Sequence, residues 1–72
     1  MKTMLIKAMQ FDTADEAVQH THASGHGEAV TVDGKYYVAE QEECDRMAAA
    51  GVEFGYLYHH AKTGRLLVVP AY

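Results

Sequence analysis

Histidine is the residue type in excess, with five in 72 residues, and an imidazole can ligate a metal ion or move a proton. On a helix, His20 and His22 would point roughly 200° apart, because each residue turns the helix by about 100°. On a strand, His59 and His60 would face opposite sides of a sheet. A zinc site needs three or four convergent ligands, so these spacings favour exposed histidines. The five are His20, His22, His26, His59 and His60.

Two residues could act as nucleophiles, and neither lies in a pattern typical of a catalytic site. Cys44 shares the apolar stripe of a predicted helix with Met47 and Ala48, where a free cysteine usually behaves as a small buried hydrophobe. Ser24 has histidines near it along the chain, but catalytic triads converge in space and not in sequence. We therefore predict a protein that is not an enzyme and that holds no cofactor and no metal.

Charge and composition restrict the partners of the chain. The formal net charge is -4, and the six Lys and Arg residues are scattered singly, whereas binding to nucleic acid depends on clustered basic side chains. No apolar run approaches the roughly 20 residues of a membrane span. Lys7 interrupts the apolar run that a signal peptide would need. We predict a cytoplasmic protein that binds neither nucleic acid nor a membrane.

The length of the chain predicts a single domain over residues 1–72 with a thin core. A domain of this size buries only about 60% of the surface that its unfolded chain exposes. Such domains often gain stability from disulfides, a metal ion or a second subunit. The single cysteine excludes an intramolecular disulfide, so association with a second copy is the favoured remedy.

Short local signals divide the chain into elements. Thr13 followed by Glu16 is typical of the capping box that begins a helix, and an acidic run over residues 40–43 suits the start of a second one. Asp33-Gly34 favours a two-residue type I′ hairpin, and Gly51 ends the second helix. The resulting order, β-α-β-β-α-β-β, predicts an α+β fold with a five-stranded, mainly antiparallel sheet and two short helices.

The last hairpin carries the predicted interface. Gly64 suits the left-handed position of a three-residue loop, and such a loop pairs even-numbered residues with even-numbered ones. We expect both helices to cover one side of the sheet and leave one face of this hairpin open. The open face is then the even-numbered one. In the alternative, the even-numbered residues belong to the core and the odd-numbered face is open. The predicted interface residues are Phe54, Tyr56, Tyr58, Leu66, Val68 and Tyr72.

The segment from Gly51 to Pro70 also carries a likeness to a known family. It includes Tyr58-His59-His60-Ala61-Lys62-Thr63-Gly64-Arg65 and then Val68-Val69-Pro70. This part of the chain resembles the helix-Gly-hairpin part of HicA-type toxins, which are small RNA-cleaving proteins. The resemblance implies a ribonuclease in which His59 or His60 is the catalytic residue.

Taken together, the residues favour a small non-enzymatic protein that forms a homodimer or binds another protein. Tyrosines suit such a role, because they bring a large contact area with a polar tip and are enriched at interfaces. The alternative is the HicA-like toxin that uses His59 or His60. A histidine-based metal-binding protein is the lower alternative.

Overall fold

A computed structural model describes residues 5–60 and 62–71 and confirms the α+β fold with the predicted order of elements. The sheet is antiparallel, and its strands lie in the order β1-β3-β2-β4-β5. The chain order is β1 (Ala8–Phe11), α1 (Ala14–Ser24), β2 (Glu28–Val32), β3 (Lys35–Ala39), α2 (Gln41–Ala49), β4 (Gly55–His59) and β5 (Leu66–Pro70).

The local signals act where the sequence places them. The Thr13 hydroxyl accepts the backbone N–H of Glu16 at 3.2 Å, which satisfies one of the free donors at the start of α1. Gly25 ends that helix in the left-handed conformation, with φ at 77°. Asp33 and Gly34 both have positive φ, as a type I′ turn requires, and Val32 pairs with Lys35 as predicted.

The two helices lie on opposite faces of the sheet, so the expectation that both cover one side was wrong. The buried side of α1 packs with Ala29, Val38 and Leu57. The buried side of α2 packs with Val30, Ala39 and Phe54. Neighbouring strand residues point to opposite faces, so adjacent apolar pairs such as Ala29-Val30 require cover on both sides. One helix meets each requirement.

The register of the last hairpin also differs from the expectation by one residue. The His60 N–H donates to the Arg65 carbonyl at 2.8 Å, so four residues separate the paired positions, not three. Tyr56 therefore lies opposite Val69, and odd-numbered residues pair with even-numbered ones. Gly64 is left-handed as predicted, with φ at 69°.

Both the backbone and the side chain of His60 take part in the longer loop. Its carbonyl accepts the Gly64 N–H at 2.8 Å, and its Nδ1 accepts the backbone N–H groups of Lys62 and Thr63 at 3.2 and 3.3 Å. A one-residue change in register moves every side chain of a strand to the other face. Leu66 and Val68 consequently share the face of Leu57, whereas Leu67 and Val69 share that of Tyr56 and Tyr58.

This register places the Val68 side chain beside Gly55, which generates a test. A Cβ atom at residue 55 would lie 2.6 Å from Val68 Cγ1, too close for an unstrained contact. We expect Gly55→Ala to lower the free energy of unfolding by about 1–3 kcal/mol, as overpacking does. Urea denaturation in dilute solution measures the change.

The matched control for that prediction is the double-mutant cycle with Val68→Ala, which removes the clashing methyl groups. We expect the two substitutions to be coupled by at least about 0.5 kcal/mol, with Val68→Ala partly rescuing Gly55→Ala. Strictly additive effects would contradict the observed register.

Candidate interaction surface on the last hairpin

Strand β5 is an edge strand whose side chains are exposed on both faces of the sheet. Among the described residues it has one strand neighbour, β4. The exposed fractions are 39% for Leu66, 42% for Leu67, 55% for Val68 and 46% for Val69. An apolar strand is normally buried on at least one face, so these values mark a surface that lacks a cover.

The backbone of β5 also presents unpaired hydrogen-bonding groups. Two bonds show which residues of β5 are hydrogen-bonded to β4. The Ala71 N–H donates to the Phe54 carbonyl at 3.0 Å, and the His60 N–H donates to the Arg65 carbonyl. Because hydrogen-bonded pairs alternate along antiparallel strands, Leu67 and Val69 bond to β4. The N–H groups of Leu66 and Val68 therefore point outward, away from β4. We call this outward row of backbone groups, from Leu66 to Pro70, the β5 edge.

The hairpin separates from the rest of the sheet near its middle. Strand β4 pairs with β5 at five positions but with β2 at only two, Val30↔Tyr56 and Thr31↔Gly55. Leu57 is still buried beneath α1. Beyond it, Tyr58 is exposed on the α2 side, whereas His59 on the other side is hydrogen-bonded to Asp15 of α1. The facing residues of β5 are exposed on both faces.

The structure does not bring the predicted interface residues onto one face. Phe54 is only 3% exposed and belongs to the core beneath α2. Tyr56 is half-buried, and Tyr58 is exposed on the same side of the sheet. Leu66 and Val68 project from the opposite face. Tyr72 lies outside the described residues.

Sequence reasoning missed Leu67 and Val69, which accompany Tyr58 on its face. Leu67 lies directly opposite Tyr58, and Val69 lies opposite Tyr56. The Tyr56 and Tyr58 rings are 6.3 Å apart, so the four side chains form a continuous apolar row. The run Leu66-Leu67-Val68-Val69 indicates that both faces of the strand are apolar, but the predicted three-residue loop placed Leu67 and Val69 on the face away from Tyr58.

Burial raises the pKa of the Tyr58 phenol, and the Glu28 carboxylate adds to the effect. Both influences disfavour a phenolate anion, so the side chain stays neutral at physiological pH. A neutral tyrosine keeps a polar tip without adding charge to the apolar face. Such a side chain tolerates water before assembly and packs well after it.

Two histidines form hydrogen bonds with carboxylates, at separate places in the fold. His59 Nε2 lies 2.9 Å from Asp15 Oδ1, in the first turn of α1. His26 Nδ1 lies 2.8 Å from Glu40 Oε1. These pairs orient the imidazoles, but among the described residues no side-chain hydroxyl or thiol is hydrogen-bonded to either ring. A base with no adjacent nucleophile could act only on water or on a bound substrate.

Residues 5–60 and 62–71 contain no group of three His, Cys, Asp or Glu side chains arranged to hold a metal ion. Cys44 is fully buried between the sheet and α2. Burial raises its thiol pKa to about 11, and the Glu28 and Asp45 carboxylates contribute. The thiolate is the reactive form of cysteine, so Cys44 is a packing residue at neutral pH.

Comparison with known proteins assigns the chain to no family. No family model matches it, and no curated protein or solved structure is detectably similar. Neither helix in the described part of the chain has the length and apolarity needed to cross a membrane. The geometry of the hairpin is therefore the basis on which a function is inferred.

The different surroundings of Phe54 and Tyr58 predict different effects of substitution. Phe54→Ala leaves a cavity beneath α2 and should lower the free energy of unfolding by about 3–5 kcal/mol. Tyr58→Ser removes a side chain that is 46% exposed and lies outside the core, so we expect a loss of about 1 kcal/mol or less. Urea denaturation of both variants in dilute solution checks this contrast, and equal losses would contradict it.

Proposed function

We propose that this chain is a small non-enzymatic protein that works by self-association through its last hairpin. The observation that carries the proposal is the β5 edge together with the exposed apolar side chains of the same five residues, none of which is charged. Natural edge strands are usually protected from pairing by charged side chains, prolines, bulges or very short length. Strand β5 has no charge and pairs with β4 without a bulge, and its one proline, Pro70, is its last residue.

The opposite edge of the sheet provides a comparison within the same molecule. Strand β1 has four residues, includes the polar Gln10 and has a charged residue at each end, Lys7 and Asp12. Strand β5 has five residues, none of them polar, and a charged neighbour at one end, Arg65. Short length and flanking charge are the usual protections of an edge. The contrast supports β5, and not β1, as the edge at which association occurs.

The small core gives self-association a thermodynamic reason. The buried apolar residues are mainly small or medium-sized, and the largest fully buried side chains are Val30 and Cys44. A core of this size stabilises a domain only modestly. Burying the exposed side chains of β5 against a second copy adds apolar contact where each copy lacks it.

Charge does not oppose this contact strongly. Each copy carries a formal charge of -4, but residues 66–70 contribute none of it. Charges more than about 8 Å apart are largely screened at physiological ionic strength. The repulsion between two copies is therefore weak at the edge itself, where the apolar contact forms.

The proposal predicts that solution mass rises with protein concentration and that a charge on β5 prevents the rise. Val68→Lys places an ammonium group in the middle of the edge, so we expect a monomer over the whole micromolar-to-millimolar range. Light scattering coupled to size-exclusion chromatography measures the mass. The matched control is Gln19→Lys, which makes the same change of charge on an exposed residue of α1. A wild-type protein that stays monomeric at millimolar concentration would contradict the proposal.

A second candidate function, RNA cleavage by His59, is favoured by one observation. The Asp15 carboxylate accepts a hydrogen bond from His59 Nε2, which leaves Nδ1 as the basic nitrogen of the neutral ring. A carboxylate that orients an imidazole in this way is common in general-base catalysis. His60 is the weaker candidate of the pair, because its Nδ1 already accepts two backbone N–H groups of the loop.

The two candidate functions differ in what expression of the chain does to a cell. We expect no growth arrest on induced expression, because the few basic side chains near His59 hold an RNA backbone poorly. Growth curves with and without induction measure this. Growth arrest that His59→Ala relieves, and that His22→Ala on the exposed face of α1 does not, would favour the ribonuclease instead.

A further inference from the structure

We propose that two copies join their β5 edges in antiparallel register about a two-fold axis through Val68, so that two five-stranded sheets become one of ten strands. The inference rests on the proposed self-association and names its geometry. Its basis is the pattern of outward backbone groups on β5, which is complementary to itself.

The hydrogen bonds of this arrangement follow from the phase of the β4–β5 ladder. The outward groups are the N–H of Leu66 and Val68 and the carbonyls of Leu66, Val68 and Pro70. With Val68 opposite Val68 of the partner subunit, each Val68 N–H donates to the other's carbonyl. Each Leu66 N–H then donates to the carbonyl of the partner's Pro70. Both outward donors of each copy are satisfied.

Neighbouring registers are poorer for identifiable reasons. A shift that centres the axis on Leu67 would set Arg65 opposite Val69 of the partner subunit, so a charged side chain would meet an apolar one. A shift that centres it on Val69 would set Leu67 opposite the partner's Ala71, beyond the end of β5, so fewer residues of the strand would pair with one another. Proline has no N–H, so Pro70 only accepts in either register. The register about Val68 pairs the five residues of β5 only with one another.

Side chains on both faces support the same register. On the α2 side, Leu67 lies opposite Val69 of the partner subunit in a non-hydrogen-bonded pair, where side chains approach most closely. The apolar row from Tyr58 through Leu67 then continues across the axis. On the α1 side, Leu66 lies opposite the partner's Pro70. These pairs give each exposed aliphatic side chain of β5 an apolar neighbour.

The helices leave room for the second copy. Helix α1 packs mainly against β1, β2, β3 and β4, and the residues packed around α2 come from the centre of the sheet and the ends of the hairpin. The axis stands perpendicular to the sheet, so each helix stays on its own side. Strand β5 therefore accepts a partner strand without displacement of either layer.

Engineered cysteines test the register directly. In a hydrogen-bonded pair the Cα atoms are about 5.5 Å apart, within the range that a disulfide spans. We expect Val68→Cys to form a covalent dimer on mild oxidation. Leu67→Cys should not, because residue 67 lies opposite residue 69 of the partner subunit. The Cα atoms of the two copies of residue 67 are then roughly 8 Å apart, too far for a disulfide. A mixture of Leu67→Cys and Val69→Cys should form the mixed dimer. Non-reducing electrophoresis measures each product.

Wild-type protein controls for the native thiol, because Cys44 is buried and its pKa is about 11. Light scattering on the same samples under reducing conditions separates the two proposals. The mass could rise with concentration while Leu67→Cys cross-links as readily as Val68→Cys. That result would contradict the register but would still support self-association. Monomers at every concentration, with no cross-linking of any variant, would overturn both.

A proline substitution gives an independent measurement on the uncross-linked protein. Val68→Pro removes the outward N–H at the axis and leaves the ladder with β4 intact, because residue 68 donates no bond to β4. We expect a folded protein, by circular dichroism, whose dimer dissociation constant rises about tenfold or more through loss of two hydrogen bonds. An unchanged dissociation constant with folding preserved would overturn the proposed pairing.

Discussion

The constraint on which the rest of this structure depends is the need to cover both faces of the central strands. Adjacent apolar residues in β2 and β3, such as Ala29-Val30 and Val38-Ala39, direct apolar side chains to both sides of the sheet. Each side needs a layer of its own. The described residues form two short helices, and both pack against the central strands. Neither helix covers β5 at the edge, so its side chains are exposed to solvent.

The exposure of the last hairpin thus follows from the arrangement at the opposite end of the sheet. A chain of 72 residues has no third helix among its described elements to place over β4 and β5. The aliphatic side chains of β5 are too numerous for an ordinary solvent-exposed edge strand. In the proposed dimer, the β5 strand of a second copy supplies the missing contact.

Local chemistry predicted the elements well, and long-range packing was predicted poorly. The capping residues at Thr13 and Gly25 and the turn at Asp33-Gly34 act within a few residues, so the sequence alone reveals them. The side of the sheet on which α2 lies depends on contacts distant in sequence. The four-residue loop that sets the hairpin register includes two bonds from backbone N–H groups to one ring nitrogen of His60. Two-residue and three-residue hairpin loops have recognisable sequence signatures. A four-residue loop that includes bonds to a histidine side chain has no such signature in the sequence.

The unlike edges of the sheet would limit how far the proposed assembly proceeds. Each molecule has one apolar edge, at β5, and one shorter edge with a charged residue at each end, at β1. When like edges join about a two-fold axis, the interface is isologous and uses the bare edge of both partners. The β1 edges then form the two ends of the enlarged sheet. Such a particle closes at two subunits, whereas a head-to-tail contact between unlike edges would grow into a fibre.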